Sequence, residues 1–400
     1  MIKLHRWQEE CLKEFFEHKE LIANCCTGSG KSIFGIEAIK RIRIEHPEYN
    51  ILIVAPKIVI LETVWLKELN KFGFGPNQVG VYYGYAKEFS KITLTTIASI
   101  GNLFPNKNSP SDTGIFDVII CDEIHNMMTP SLRKLLKKPF KYKLGLSASI
   151  KHIDQRHWKL MADFKYKTYE YGMKRAIEEG IINKFNFHLI GVKITDEDVR
   201  QSYDQLSEEL KRLLTAYGGF EKIMRLPKSD PNKSKVLSLF TQRNDLVNNY
   251  VRKIDVVCKI FEDNKEKKAL LFSQYNKITR GIYWALKEKV ARSEIIDTNI
   301  KESKRKEFLK DFEDDKYKIL LSSRIFEEGY NLPRIDLAVF LSSNSTSRQM
   351  IQRLGRILRK KDKPSDAYYV YCVDTFEQDY AMRAKEFVEE IAEEVITEIY

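Results

Sequence analysis

Near the amino terminus, a short run of residues has the composition of a phosphate-binding turn. The apolar segment 21–24 is followed by Cys25-Cys26-Thr27-Gly28-Ser29-Gly30-Lys31-Ser32, and an amphipathic run begins directly afterwards. A strand, a glycine-bearing turn and a helix in this order direct backbone N–H groups and the helix dipole toward an anion. Lys31 would reach the β- and γ-phosphates of a nucleotide, and the Ser32 hydroxyl would ligate Mg²⁺. The strict pattern begins with glycine, and this chain has Cys25 in that place.

A second reactive group follows the apolar run 118–121, where Asp122, Glu123 and His125 come in close succession. At the carboxyl end of a parallel strand, side chains face the crevice in which ligands bind. Asp122 can hold Mg²⁺ through its hydration shell, and Glu123 can position or deprotonate an attacking water. We interpret His125 as a coupling residue and not as a metal ligand. Together with the turn, these acids predict hydrolysis of a nucleoside triphosphate.

The elements that must position these residues can be predicted from the hydrophobic pattern. Short β-branched runs alternate with longer helical patterns, which is typical of an α/β fold with parallel sheets. Because the runs are apolar throughout, we expect strands that are covered by helices on both faces. The predicted strands are residues 21–24, 51–55, 93–97, 118–121 and 144–147 in the first half, and 269–273, 319–322, 337–341 and 368–373 in the second.

The same pattern predicts two sheet domains that are joined by a helical segment. Residues 1–195 form the first expected domain, and residues 260–380 form the second. Between them, residues 196–259 read as a polar helical insertion or connector, with a break at Pro227–Lys233. Apolar residues spaced by three and four between Ala384 and Ile399 predict a C-terminal amphipathic helix over residues 381–400. We expect this helix to pack on a sheet domain, and partner binding is the alternative.

The composition suits a globular chain with a polyanionic partner. The chain has 400 residues, is 43% hydrophobic, and carries 67 Lys and Arg against 56 Asp and Glu, a net charge of +11. Such a surplus favours nucleic acid. No run reaches the ~20 apolar residues of a membrane span, and no secretory signal is evident. Six scattered cysteines without a CxxC pattern argue against a disulfide framework or a zinc site. We therefore expect a reduced, cytoplasmic protein.

The combination of Lys31-Ser32 with Asp122-Glu123-Ile124-His125 resembles superfamily 2 helicases of the DExH type. Other segments resemble the remaining helicase motifs in the expected order. They are Leu4–Gln8 (the Q-type motif), Ala55–Lys57 (Ia), Thr95–Thr96 (a further nucleic-acid motif), Leu146–Ser149 (III), Leu271–Gln274 (IV), Phe326–Pro333 (V) and Gln352–Arg359 (VI). The last segment matches QRxGRxxR at every fixed position. The resemblance implies two tandem RecA-like domains, with ATP and Mg²⁺ as cofactors.

The resemblance also implies roles for individual residues. The implied nucleotide-binding residues are Gln8, which would read adenine, and Thr27, Gly28, Ser29, Gly30, Lys31, Ser32, Gly329 and Asn331. The implied catalytic residues are Lys31, Asp122, Glu123, Gln352, Arg356 and Arg359, and the implied Mg²⁺ ligands are Ser32 and, through water, Asp122. The implied coupling residues are His125, Ser147 and Ser149. The implied nucleic-acid contacts are Lys57, Thr95, Thr96, Ser273 and Gln274.

In such a helicase, the arginines of the last motif act across a cleft between the domains. Arg356 and Arg359 would stabilise the charge that develops on the γ-phosphate. Hydrolysis would then require the cleft to close, and product release would let it open. If each domain grips a nucleic-acid strand separately, closure moves one grip along the strand.

Two further segments resemble the XPB-type branch, which includes archaeal relatives and phage recombination helicases. They are residues 341–349 and Gly180–Asn183. This resemblance implies an ATP-dependent double-stranded DNA translocase or 3′-to-5′ helicase in repair, recombination, fork remodelling or defence. It would be a monomeric motor that prefers DNA over RNA, and a nuclease or repair protein is a compatible partner. The alternatives are an RNA remodeller of the same superfamily and a nucleic-acid-dependent clamp or motor subunit without unwinding activity.

Overall fold

The computed structural model describes residues 3–84, 86–104, 113–148, 150, 156–289, 293–297, 299–323, 335–341, 354–355 and 364–400. These residues divide into two compact units. Unit 1 contains the described residues up to Asn183 together with Leu354 and Gly355, and unit 2 contains the remainder. Within the described ranges, no helix is long and apolar enough to cross a membrane.

Unit 1 is built on an eight-stranded sheet. Its strands are β1 (Glu20–Cys25), β2 (Ile51–Ala55), β3 (Val79–Tyr83), β4 (Ala86–Lys87), β5 (Ile92–Thr96), β6 (Val118–Cys121), β7 (Tyr142–Ser147) and β8 (Thr168–Tyr171). Their order is β4-β3-β5-β2-β6-β7-β1-β8, and only β3 and β4 pair antiparallel. Every position of β2, β6 and β7 is buried, as expected for β2 and β6 from their continuous apolar runs. The carboxyl ends of β6, β7 and β1 therefore lie side by side along one edge of the sheet.

The helices of unit 1 pack on this sheet, and several of them follow strands whose carboxyl ends form the site. They are α1 (Arg6–His18), α2 (Lys31–Glu45), α3 (Ile58–Ile60), α4 (Leu66–Lys71), α5 (Pro130–Leu136), α6 (Arg156–Ala162) and α7 (Met173–Glu178). A π-helical turn, Leu61–Trp65, joins α3 to α4. A 3₁₀ turn, Ile124–Met127, follows the two acids at the end of β6.

Unit 2 is built on a seven-stranded sheet in which all pairs are parallel. Its strands are β9 (Phe185–Val192), β10 (Ala269–Ser273), β11 (Ser293–Ile296), β12 (Ile319–Ser323), β13 (Leu337–Leu341), β14 (Ser365–Cys372) and β15 (Glu394–Ile399). Their order is β11-β12-β10-β13-β14-β9-β15. The helices of unit 2 are α8 (Glu197–Ala216), α9 (Phe220–Arg225), α10 (Pro231–Asn248), α11 (Arg252–Asp263), α12 (Asn276–Lys289), α13 (Glu302–Glu313) and α14 (Phe376–Val388).

The predicted helical segment is present, but its limits differ from the prediction. Helices α8, α9 and α10 share a small core of their own, which contains Leu210, Ile223, Val236 and Leu239. The predicted break at Pro227–Lys233 includes the loop between α9 and α10. Helix α11, in contrast, packs into the main core of unit 2 through residues such as Val257 and Phe261. The segment 252–259 therefore belongs to the second sheet domain and not to the connector.

The predicted end of the first domain at residue 195 is also wrong, because β9 pairs with β14 and β15 in the sheet of unit 2. Unit 1 ends at Asn183. The alternation of Phe185, Phe187 and Leu189 with Asn186 and His188 fits a strand with two different faces. Strand β9 is therefore the first strand, in chain order, of the sheet of unit 2.

The C-terminal helix is shorter than predicted. Helix α14 ends at Val388, and the apolar residues beyond it form β15, which pairs parallel with β9. The sequence Glu394-Val395-Ile396-Thr397-Glu398-Ile399 is rich in β-branched residues, which fit a pleated strand better than a helix. The three-and-four spacing of apolar residues therefore predicts the helix correctly up to Val388 and wrongly for residues 394–399.

Candidate active site of unit 1

The turn between β1 and α2 has the backbone that its glycines permit. Gly28 and Gly30 have φ values of +87° and +94°, in the left-handed region that residues with a Cβ rarely adopt. Lys31, the first residue of α2, donates hydrogen bonds from Nζ to the carbonyl oxygens of Cys25 at 2.9 Å and Cys26 at 3.3 Å. The ammonium group is thus held over the concave side of the turn, where a phosphate would lie.

Gln8 ties α1 to this turn. Its side chain is 1% exposed, and Nε2 donates to the carbonyl oxygen of Gly30 at 3.0 Å. Its Oε1 accepts a hydrogen bond from the backbone N–H of His5 at 2.8 Å. Both ends of the carboxamide are therefore engaged within the chain, so Gln8 supports the phosphate turn in this structure. The expectation that it reads adenine stays a prediction.

The two acids follow β6 at the carboxyl edge of the sheet. Asp122 accepts hydrogen bonds on both oxygens, from the backbone N–H of Glu123 at 3.0 Å and from Nε1 of Trp65 at 2.9 Å. Burial and the nearby Glu123 carboxylate raise the pKa of Asp122 to about 6, against the lowering effects of the Trp65 hydrogen bond and the Lys31 charge. Asp122 therefore binds a proton more readily than an ordinary aspartate, and a bound cation would favour its ionised form.

Glu123 has an unusual backbone conformation. Its φ of 47° and ψ of 52° lie in the left-handed region, which costs energy for any residue with a Cβ. Such strain persists only where the surroundings enforce it, and it is concentrated at functional sites. Here this conformation leads the chain from β6 into the 3₁₀ turn Ile124–Met127.

His125 connects the acids to the next strand. Its Nδ1 lies 3.1 Å from Oγ of Ser147, at the end of β7, and 3.4 Å from Oε2 of Glu123. Its Nε2 lies 3.3 Å from Nδ2 of Asn126. The structure thus brings together the predicted coupling residues His125 and Ser147. Ser149 lies outside the described residues.

The donor set at this edge fits Mg²⁺ bound together with nucleotide phosphates. Ser32 is the second residue of α2, and the Lys31 charge acts on the Asp122 carboxylate. One hydroxyl and one carboxylate suit an ion that prefers hard oxygen ligands and keeps several of its waters. Among the described residues, no group of three or more His, Cys, Asp or Glu is placed to hold a metal ion. The site therefore fits Mg²⁺ delivered with a nucleotide better than a protein-only metal cage.

The predicted nucleic-acid contacts of unit 1 fall into two classes. Lys57 is exposed directly before α3 and is placed to meet a polyanion. Thr95 is fully buried and donates its hydroxyl to the carbonyl oxygen of Tyr82 at 2.8 Å. Thr96 is 4% exposed, and its hydroxyl caps a turn through Ser99. Both threonine hydroxyls are used inside the unit, and a contact of these residues with nucleic acid stays a prediction.

In unit 2, Ser273 ends β10 and is 4% exposed. Its Oγ accepts a hydrogen bond from the backbone N–H of Tyr275 at 3.2 Å, so it caps the turn before α12. Gln274, beside it, is partly exposed. Of the two, Gln274 has the greater access to a nucleic-acid strand.

Most of the last two motifs lies outside the described residues. This applies to the predicted site residues Gly329, Asn331, Gln352, Arg356 and Arg359. Leu354 and Gly355 are described and belong to unit 1. A Cβ placed on Gly355 would lie 2.4 Å from Cβ of Thr27, and a Cβ on Gly28 would lie 3.0 Å from the Gly355 carbonyl oxygen. Gly355 therefore packs directly on the phosphate turn, with no room for a side chain.

Trp65 is the residue at this site that the sequence motifs do not reveal. It lies within a largely apolar segment, residues 58–66, in which nothing distinguishes it from a core residue. Only the folded arrangement shows that its indole N–H faces Asp122. The indole N–H of a buried tryptophan usually has a hydrogen-bond acceptor, and this tendency is the one sequence signal that could have suggested a polar partner for Trp65.

Comparisons with known proteins agree with this geometry. Residues 1–152 match the family described as type III restriction enzyme, res subunit, and residues 252–361 match the helicase conserved C-terminal domain. The structure is similar to the helicase domain of Pyrococcus furiosus Hef, with a TM-score of 0.65 and 16% identity over 94% of this chain and 97% of that one. The chain is a superfamily 2 helicase with two RecA-like domains, which confirms the predicted class and fold.

The sequence comparisons also support the predicted branch. The chain is 26% identical to the DNA 3′-5′ translocase XPB2 of Sulfurisphaera tokodaii, over 95% of this chain and 84% of that protein. It is 24% identical to the DNA 3′-5′ helicase XPB of Kineococcus radiotolerans, over 97% of this chain but only 63% of that protein. The chain is thus similar to XPB-type proteins over nearly its whole length, which supports the branch that its motifs indicated.

Proposed function

We propose that this protein is an ATP-dependent DNA translocase or 3′-to-5′ helicase. The observation that carries the proposal is the placement of the phosphate turn and the acid pair at one edge of the sheet of unit 1. The turn follows β1 and the acids follow β6, with only β7 between these strands. The names of the XPB-type relatives supply the substrate, DNA, and the direction of movement.

The residues of unit 1 have separate tasks in ATP hydrolysis. The N–H groups of the turn and the Lys31 ammonium bind the β- and γ-phosphates. Ser32 and Asp122 would hold Mg²⁺, which supplies charge neutralisation of the phosphates. Glu123 orients the attacking water and accepts its proton. In this division of tasks, Asp122 serves the metal and Glu123 serves the water.

We assign the remaining family residues by resemblance. Arg356 and Arg359, with Gln352, act on the γ-phosphate, and Gly329 and Asn331 contribute to nucleotide binding. His125 and Ser147, which lie 3.1 Å apart, relay the state of the acids to the end of β7. Lys57 and Gln274 contact the nucleic acid, and the net charge of +11 favours its approach.

We also propose that the protein works in a reducing compartment, such as the cytoplasm, and acts as a monomeric motor. All six cysteines are buried and none forms a disulfide, in keeping with a chain that needs none. A nuclease or repair protein is the partner we expect, because the XPB-type resemblance is compatible with work in repair and recombination.

The proposal is tested by ATP turnover with a panel of matched nucleic acids. The panel contains single-stranded, duplex and forked DNA and an RNA duplex of the same sequence. We expect DNA to raise turnover more than RNA, and we expect the stimulation to fall steeply with salt, because lysine–phosphate contacts release counterions. Turnover that no nucleic acid changes would contradict the motor. Stronger stimulation by RNA would select the RNA-remodelling alternative, and stimulation by DNA without strand displacement or translocation would select the clamp.

A further inference from the structure

Trp65 occupies an unusual place between the phosphate-turn helix and the metal-binding acid. Its side chain is fully buried, and Nε1 donates a hydrogen bond to Oδ2 of Asp122 at 2.9 Å. The far edge of the ring packs on α2, where a Cβ placed on Gly35 would lie 2.9 Å from Cη2 of Trp65. The indole thus spans the distance between the helix that follows the phosphate turn and the carboxylate after β6.

The backbone around Trp65 departs from a regular helix in a way that sets the direction of the indole. Residues Leu61–Trp65 form a π-helical turn, and the N–H of Leu66 donates to the carbonyl oxygen of Leu61, five residues earlier. The hydroxyl of Thr63 donates to the carbonyl oxygen of Val59 at 2.6 Å within this wide turn. A π-helical turn inserts one residue and rotates the side chains that follow, and such turns are frequent at functional sites.

The hydrogen bond from Trp65 fixes the one oxygen of the Asp122 carboxylate that the backbone N–H of Glu123 does not bind. The N–H of Glu123 holds Oδ1 of Asp122, and the indole holds Oδ2. An indole N–H can only donate, and the ring cannot turn away because it is packed on α2. Partners that fix the orientation of a metal ligand typically alter metal affinity by about 10–100-fold when they are removed.

We propose that Trp65 is a positioning residue that holds the Asp122 carboxylate in the orientation required for Mg²⁺ bound with ATP. The inference rests on the proposed function of Asp122. It adds a residue that touches neither nucleotide nor metal and that acts through a single hydrogen bond. Because Mg²⁺ demands nearly ideal octahedral geometry and Ca²⁺ does not, loss of this positioning affects Mg²⁺ more than Ca²⁺.

The test compares nucleotide affinity with and without metal in Trp65→Phe, which keeps a buried ring and removes the N–H. Affinity for a non-hydrolysable ATP analogue is measured by calorimetry in EDTA, in Mg²⁺ and in Ca²⁺. We expect the gain in affinity from Mg²⁺ to fall about tenfold, the gain from Ca²⁺ to fall less, and the affinity in EDTA to stay unchanged. An unchanged gain from Mg²⁺ in a folded variant would overturn the inference.

Trp7→Phe is the matched control. Trp7 is also fully buried in unit 1, and within the described part of the chain its Nε1 has no hydrogen-bond acceptor. This variant loses the same ring volume without losing a hydrogen bond, so we expect its gain from Mg²⁺ to equal that of the unmodified protein. An equal fall in both variants would show that ring volume is responsible and would also overturn the inference.

A second measurement applies if Trp65→Phe does not fold. The chain has four tryptophans, and replacing Trp7, Trp158 and Trp284 by Phe leaves Trp65 as the only indole. We expect the fluorescence of Trp65 to change when Mg²⁺ is added to the protein with bound analogue, because the metal changes the field of the hydrogen-bonded carboxylate. An emission that Mg²⁺ leaves unchanged would contradict the proposal. DNA-stimulated ATP turnover of the unmodified protein tests the function separately, so either proposal can fail alone.

Discussion

Two aspartates at opposite ends of parallel strands show how the two units use buried charge. Asp122 follows the carboxyl end of β6 in unit 1, and Asp366 is the second residue of β14 in unit 2. Asp366 lies 2.7 Å from Nζ of Lys267, and the side chains of Asn186 and His188 each lie 3.3 Å from its Oδ1. Burial acts to raise the pKa of Asp366, but the hydrogen bonds from His188 and Lys267 and the Lys267 charge lower it to about 2.

Asp122 has the opposite balance. Its hydrogen bonds come from neutral donors, and burial together with the Glu123 charge raises its pKa to about 6. In open parallel sheets, ligands bind beyond the carboxyl ends of the strands. The acid at the amino end is therefore held ionised by a cation of the protein itself, whereas the acid at the carboxyl end binds a proton more readily and would be held ionised by a bound cation. This contrast separates a residue that stabilises the fold from one for which we propose a role in chemistry.

The largest effect that we expect comes from Glu123→Gln, which changes the residue next to Asp122 in the candidate site of unit 1. The amide keeps the size of the side chain but cannot accept a proton from water, so ATP turnover should fall by about 10²–10⁴-fold. Nucleotide affinity should stay close to its original value, because the phosphate turn is unchanged. Steady-state turnover and equilibrium binding measure the two quantities. Glu179→Gln, in the same unit but bonded to Tyr171 and Arg175, is the control and should turn over normally.

The second effect concerns Asp366, the aspartate that we expect to stabilise unit 2. Asp366→Asn removes a buried charge and leaves Lys267 and His188 without their acid, so the free energy of unfolding of unit 2 should fall by about 2–3 kcal/mol. Denaturant unfolding measures this loss. The exposed Asp263→Asn, on α11 of the same unit, should change stability by no more than about 0.5 kcal/mol. If Asp366→Asn is as stable as that control, the carboxylate does not hold the amino ends of β9 and β14 together.

The third effect is a dependence on pH with opposite signs for the two aspartates. The folded pKa of Asp366 is lower than its ordinary value, so its contribution to stability is present above about pH 4 and is lost as the pH falls toward 2. The folded pKa of Asp122 is higher than its ordinary value, so the folded state binds the extra proton. Stability from this group should therefore decrease as the pH rises from about 4 to 6, by about 1–2 kcal/mol.

Unfolding without metal or nucleotide, at a series of pH values, measures this dependence. The difference between the unmodified protein and Asp122→Asn should change between pH 4 and 6. The difference for Asp366→Asn should change at lower pH and in the other direction. Parallel pH curves for the two variants would show that the acids do not differ as their surroundings indicate.

These contrasts also show which parts of the molecule can be predicted from its sequence. The phosphate turn and the acids are local patterns, in which glycine torsions and strand ends directly specify the geometry, and the structure has Lys31, Asp122 and His125 at one edge of one sheet. Thr95 was assigned from its place in a motif order, but its hydroxyl is used by the neighbouring β3. The partners of a side chain depend on strands that are distant in sequence, and no local pattern encodes them.

The same limit applies to Trp65 and to the C-terminal strand. Trp65 ends a π-helical turn, and the spacing of apolar residues does not distinguish a π-helical turn from an α-helical one. Strand β15 forms because the edge of β9 is available to it, and the C-terminal apolar residues satisfy both a helical and a strand pattern. Tertiary context selected the strand in this case.

The smallest effect concerns the relay between the acids and β7. Ser147→Ala removes the hydroxyl that lies 3.1 Å from Nδ1 of His125, which should cost about 1 kcal/mol of stability in unit 1. If His125 and Ser147 pass the state of the acids to the rest of the motor, basal ATP turnover should change little, while the DNA length travelled per ATP should fall. Ser322→Ala, a buried serine near the carboxyl end of β12 in unit 2, controls for the loss of a buried hydroxyl. Equal losses of coupling in both variants would show that the relay does not depend on the contact with His125, and the acids would then act on the motor by another route.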